Sequence, residues 1–179
     1  NFQSYTDEGF TDTVTPKEMT QEDIEKTISD FQQAAVNAIA SGFDGVEIHA
    51  ANGYLLHQFF AKCSNNRNDK YGGSIENRAR FLFDILDSIK QKVPLTKVGI
   101  RLAPDLTQTF GIIHDDETEA LFEYICKKLN DYDLAYLHIS GFSLDPNKKE
   151  ENIINTAKQY RKIYTGTYMI NGGFSRDTA

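Results

Sequence analysis

Four polar side chains in this sequence stand where a chain turns out of an apolar run, and each type suits chemistry on a small molecule. His49 ends the run Gly45-Val46-Glu47-Ile48-His49, and Asn52 follows three residues later on a turning backbone. Two hydrogen-bond donors so placed could grip one oxygen of a substrate. Tyr54 lies two residues further on. Arg101 sits near the end of Lys97-Val98-Gly99-Ile100-Arg101-Leu102, an expensive place for a charge without an anionic partner. Gly172 and Gly173 follow Tyr168-Met169-Ile170-Asn171 and would let backbone N–H groups approach an anion, since no Cβ intervenes. Each also has a bland reading. A histidine and asparagine at a strand end are more often structural, the tyrosine could pack the loop, Arg101 could pair with an acid, and Gly-Gly marks any sharp turn.

The elements that must position these residues repeat in kind. Thr20-Gln21-Glu22-Asp23 opens a helix with a capping Thr and early acids, and Ile24, Ile28, Phe31, Ala35 and Ile39 continue it at helical spacing. The short run ending at His49 is β-branched enough for a strand. The pattern then predicts a helix over 75–93, a strand over 97–102, a helix over 116–129, a strand over 134–139, a helix over 152–164 and a strand over 168–171. Helix and strand thus alternate four times within residues 20–179, which predicts an α/β fold with parallel strands and helices outside them. Residues 1–19 read as a polar surface loop. No GxGxxG turn follows a strand, so an open dinucleotide-binding sheet is disfavoured. Polar strand ends at His49, Arg101, His138 to Ser140 and Asn171 suit a βα barrel, whose chemistry sits at the C-terminal rim. A whole barrel needs about 250 residues, so these 179 would supply roughly half of one, a single partial domain.

Composition narrows the partners. A formal net charge of -7 lacks the basic footprint that non-specific nucleic-acid binding needs. No apolar run approaches the length of a membrane span, and no signal peptide is recognisable at the start. The chain opens on Asn1 rather than Met, so the natural start is expected upstream. Cys63 and Cys126 stand alone and read as reduced cytosolic thiols, and the four histidines show no metal spacing. Of these, His57 and His114 are expected in solvent, and His138 as a hydrogen-bonded core histidine.

Three motifs occur in order along the chain. The first is Gly42-Phe43-Asp44-Gly45-Val46-Glu47-Ile48-His49-Ala50-Ala51-Asn52-Gly53-Tyr54-Leu55-Leu56. The second joins Ser64-Asn65-Asn66-Arg67-Asn68-Asp69-Lys70-Tyr71-Gly72-Gly73-Ser74 to Glu76-Asn77-Arg78-Ala79-Arg80-Phe81. The third runs Val98-Gly99-Ile100-Arg101-Leu102-Ala103-Pro104, and the likeness ends at Asn171-Gly172-Gly173-Phe174. Together they resemble the Old Yellow Enzyme family from about Thr15 onward.

That resemblance implies part of a TIM (βα)8 barrel that binds FMN, this chain spanning strands four to seven. It implies an NADH- or NADPH-dependent ene-reductase acting on electron-poor alkenes or quinones, cytoplasmic and able to form homo-oligomers. His49 and Asn52 match the pair that holds the substrate carbonyl or nitro oxygen, and Tyr54 the proton donor to the α-carbon. Arg101 matches the arginine at the flavin's pyrimidine edge, and Gly172 and Gly173 fall where phosphate is bound. Arg67, Asp69 and Tyr71 to Gly73 read as a structural turn fixing the Tyr54 loop, with Asn77, Arg78 and Arg80 tying the next helix to it. The His-Ala-Ala-Asn arrangement favours the branch using FMN alone over the iron–sulfur branch. Two alternatives stay open: an inactive half-barrel or flavin-binding fragment that acts only with the missing barrel parts, and a barrel lyase or isomerase without flavin, for which a strand-end lysine is lacking.

Overall fold

The computed structural model describes residues 3–12, 14–106, 111–141, 149–172, 174 and 176. Strands β3 (Val46–His49), β4 (Val98–Leu102), β5 (Tyr136–Ser140) and β6 (Tyr168–Asn171) form one parallel sheet in sequential order. Helix α1 (Gln21–Ala40) precedes β3, the helices α3 (Ile75–Lys90), α4 (Thr118–Leu129) and α5 (Lys149–Arg161) separate the strands, and the short α2 (Leu55–Phe60) follows β3. Each crossover helix returns the chain to the same sheet edge, as parallel pairing demands. The alternation read from the sequence is therefore the observed one, with boundaries moved by a few residues. The arrangement is that of part of a βα barrel.

Helix α1 starts where Thr20 and Asp23 cap each other reciprocally, the Thr20 hydroxyl accepting the Asp23 N–H and the Asp23 carboxylate accepting the Thr20 N–H. Helix α3 starts at Ser74, whose hydroxyl accepts the Asn77 N–H. Its Phe81, Leu82, Phe83, Ile85, Leu86 and Ile89 are all buried, because α3 lies between α1 and α4 and over the sheet. Full burial of one such side chain contributes about 1.5–3 kcal/mol. Truncating Leu86 to Ala would cost about 2–5 kcal/mol, the transfer loss plus the cavity left behind.

Two departures from the sequence reading have physical causes. Residues 1–19 were expected as a polar loop, but Gln3–Thr6 (β1) and Gly9–Asp12 (β2) pair antiparallel, with Tyr5 opposite Phe10. The Tyr5 and Phe10 rings meet edge-on at 5.2 Å, and the Thr6 hydroxyl bonds the Gly9 carbonyl to close the turn. Helix α2 is only six residues long, too short for a periodic pattern to announce it.

The two faces of the sheet differ. Ile48, Ile100, Leu137 and Tyr168 are in register on the face the helices cover. On the other face Glu47, Gly99 and Tyr136 form one row, and His49, Arg101, His138 and Met169 the next. Alternation along each strand places these rows on the side that is a barrel's interior.

Candidate active site at the strand ends

The site grows from the end of β3. After His49 the Ala50 N–H donates to the Arg101 carbonyl at 3.0 Å, the last tie between β3 and β4. Ala50 and Ala51 are fully buried, so the turn is anchored at its root. Asn52 then adopts φ 55° and Gly53 φ 79°, two left-handed residues in succession. Such backbone is tolerated by Asn and free for Gly, which is why those residue types stand there. The Tyr54 N–H closes the turn on the Ala51 carbonyl at 3.1 Å, and Tyr54 becomes the first flanking residue of α2. The reversal carries the Tyr54 ring back to His49, their centroids 4.9 Å apart. Tyr54 remains 54% exposed.

Arg101 is the register partner of His49 on the neighbouring strand. Its Nε is buried without a hydrogen-bond partner among the described residues. No ion pair of Arg101 occurs among the described residues, and its Nε is left for another acceptor. Partial desolvation, then the adjacent Arg101 charge, hold the His49 pKa below the usual histidine value, with Glu47 opposing. His49 is accordingly neutral near pH 7 and carries one ring N–H to donate.

One layer deeper, His138 Nδ1 meets the Glu47 carboxylate at 2.9 Å, spanning β4 from β5 to β3. Burial foremost, then the neighbouring Glu47 carboxylate, raises the Tyr136 pKa. A carboxylate partner assigns the proton to His138 Nδ1. This is the hydrogen-bonded core histidine that strand alternation led us to expect.

The structure thus brings His49, Asn52, Tyr54 and Arg101 to one corner of the C-terminal edge. Gly172 lies at the same edge but after β6, at the far side of the sheet. Its φ of 137° demands glycine, and an added Cβ would stand 2.8 Å from the Gly141 carbonyl oxygen. Gly173 lies outside the described residues.

Behind the turn, the motif between α2 and α3 is a hydrogen-bonded brace. Arg67 forks onto Asp69 at 3.1 and 2.6 Å and donates to the Met19 carbonyl at 2.7 Å. Asn65 donates to the Phe59 and Tyr71 carbonyls, Arg80 to that of Lys70, and Asn77 to that of Gly72. Arg78, buried, donates to the Phe60 carbonyl at 2.8 Å and pairs with Glu117. These residues hold α2 against α3 and through it the Tyr54 end of the turn.

One expectation is corrected. His57 is not solvated: it is 2% exposed, inside α2 against Phe60 and Phe122. Its Nδ1 accepts the Gly53 N–H at 3.3 Å, which couples it to the site. The spacing His57-minus-four to Gly53 was visible, but only the unrecognised helix turns it inward. His114 is exposed, as expected.

A parallel sheet with helices on one face, polar rows on the other and a donor cluster at the C-terminal edge is the arrangement of a βα-barrel rim. Comparison with known proteins sharpens that class. The profile of the NADH:flavin oxidoreductase / NADH oxidase family matches residues 2–179, and the chain belongs to that family. A putative 12-oxophytodienoate reductase 4 of Oryza sativa subsp. japonica is 39% identical over 163 residues, covering 90% of this chain and 42% of that protein. A probable flavin mononucleotide-dependent alkene reductase of Leishmania infantum is 47% identical over 124 residues, covering 69% of this chain and 33% of the relative. The Old Yellow Enzyme homologue of Zymomonas mobilis superposes with a TM-score of 0.88 at 28% identity, over 100% of this chain and 50% of that structure. Morphinone reductase in complex with tetrahydroNAD gives a TM-score of 0.81 at 36% identity, over 97% and 46%. The chain therefore spans half or less of the length of these relatives. Among the described residues no helix is long and apolar enough to cross a membrane, and no group of His, Cys, Asp and Glu could hold a metal.

Proposed function

We propose that this chain supplies strands four to seven of a full barrel that binds FMN and uses NADH or NADPH to reduce activated alkenes, namely α,β-unsaturated carbonyl or nitro compounds. The observation that carries the proposal is the meeting of His49 and Tyr54 at 4.9 Å beside an Arg101 whose buried Nε lacks a partner. Family membership and the names of the relatives support the same reading.

The residues present fit a flavin. The orphaned Arg101 Nε is a donor in want of an acceptor, which the pyrimidine edge of FMN would provide. Backbone at Gly172 and Gly173 would receive the phosphate. Bound FMN would supply the hydride, taken from the nicotinamide and delivered to the β-carbon of the alkene. His49 and Asn52 would donate hydrogen bonds to the substrate oxygen, where negative charge builds as hydride arrives. A neutral His49 suits this, because it donates without surrendering a proton. The Tyr54 hydroxyl would protonate the α-carbon, a carbanion-like centre basic enough to take a proton from a phenol. Arg101 would stabilise negative charge on the reduced flavin. The two free thiols of Cys63 and Cys126 accord with a reducing cytoplasm, where the nicotinamide pool lies.

The visible spectrum of the full-length protein tests this. After FMN is added and the excess removed, a retained flavin band that NAD(P)H bleaches and an enone restores is the expected result. A full-length protein that takes up no FMN would overturn the proposal.

A further inference from the structure

We propose that His57 is a positioning residue which, together with Gln58, clamps the backbone of Gly53 from both sides and so fixes the turn that presents Asn52 and Tyr54. The inference rests on the reductase reading for its catalytic consequence, but its geometry stands apart from it.

Gly53 is buried, and the two peptide groups that flank its Cα are each held by a side chain of α2. Its N–H donates to His57 Nδ1 at 3.3 Å, and its carbonyl accepts from Gln58 Nε2 at 2.7 Å. Left unmade, each of these would orphan a backbone group away from water, at about 1–3 kcal/mol. The peptide whose N–H His57 accepts joins the two left-handed residues Asn52 and Gly53, and a non-glycine at φ 55° persists only when its surroundings over-determine it. His57 can impose that determination because its ring cannot turn. It is wedged edge-on against Phe122, centroids 5.7 Å apart, and beside Phe60 at 6.3 Å.

To accept the amide, Nδ1 must carry no proton, which assigns the hydrogen to Nε2. Burial pushes the His57 pKa down to about 4, with the neighbouring His49 adding to the shift. The acceptor is therefore present throughout the neutral range. An apolar residue would fill the same space among the aromatic rings, so the imidazole is better explained by the amide it holds. Asn52 supplies the carbonyl of that amide and Tyr54 follows Gly53, so the placement of both depends on it. Misplacement by about 1 Å can cost on the order of a hundredfold in rate.

The test compares wild type, His57→Leu and His57→Asn in the full-length, FMN-loaded protein. Asn retains an acceptor oxygen near the position of Nδ1, and Leu does not. The readout is reoxidation of the reduced flavin by cyclohex-2-enone, at matched flavin content. His57→Leu is expected to slow it about tenfold or more, with His57→Asn within about threefold of wild type. Equal rates for wild type and Leu, or an equal loss in both variants, would overturn the proposal. Selective 15N labelling of histidine in the wild type gives an answer independent of turnover. A neutral His57 protonated on Nε2, with slow exchange of the Gly53 amide, is expected. The opposite tautomer or a fast-exchanging amide would refute the clamp even in an active enzyme. Failure of the wild type to reduce the enone would instead refute the reductase reading and leave the labelling to judge the clamp.

Discussion

Glu47 and His138 belong to strands that do not touch, yet their side chains meet at 2.9 Å across β4. Gly99, the β4 residue between Glu47 and Tyr136 in register, makes room for this. A Cβ there would stand 2.3 Å from Cζ of the Tyr136 ring, which lies over the gap. The polar layer beneath the rim is thus built on a missing side chain. Gly99→Ala is expected to destabilise the full-length protein by about 1–3 kcal/mol through overpacking. Denaturant titration checks it, and an unchanged midpoint would show that the ring moves aside freely.

In the proposed mechanism Tyr54 carries the protonation step, so its loss should separate the two halves of the catalytic cycle. Tyr54→Phe keeps the ring against His49 and removes only the hydroxyl. Flavin reduction by NAD(P)H is expected to stay within about threefold, and reoxidation by an enone to slow by about 10²–10⁴-fold, the range of a positioned general acid. Stopped-flow absorbance resolves the halves. Equal slowing of both would assign Tyr54 to binding rather than proton transfer.

Arg101 should govern the cofactor. Arg101→Leu removes a charge-assisted donor from the proposed flavin edge and is expected to weaken FMN binding by about ten- to a hundredfold. Equilibrium titration of the apoprotein by flavin fluorescence measures this. Undiminished affinity would mean that Arg101 faces something else.

Acid should loosen the turn before it unfolds the rest. The native His57 pKa lies near 4, below the ordinary value of 6.5, so the unfolded chain binds a proton that the native state refuses. The contribution of neutral His57 is whole above pH 6.5 and is lost as pH falls through about 4. His49, the facing titratable group whose own pKa burial and Arg101 lower, adds to the shift. His57→Asn should therefore lose less stability than wild type between pH 6.5 and 4, as thermal melts across that range would report. Parallel curves would contradict it.

Much of this was legible in the sequence, for definable reasons. Helix α1 announced itself because its cap and its apolar stripe agree, and the strands because short β-branched runs alternate with long helices. His49 and Arg101 stood out because polar groups at the ends of apolar strands need a reason to be there. His57 and the hairpin did not. Whether a histidine within Leu55-Leu56-His57-Gln58-Phe59-Phe60 faces water depends on a six-residue helix and on α4 delivering Phe122. The Tyr5–Phe10 pairing rests on a register between two four-residue strands, which threonine- and acid-rich composition disguised as a loop.

The most direct test of the reductase account follows isotope through a single turnover of the full-length, FMN-loaded protein. Cyclohex-2-enone is reduced anaerobically, once with nicotinamide deuterated at the transferring carbon and once in D2O. The account expects nicotinamide label at the β-carbon and solvent label at the α-carbon, the latter arriving through Tyr54. Solvent label at the β-carbon, or an enone returned unreduced, would contradict it.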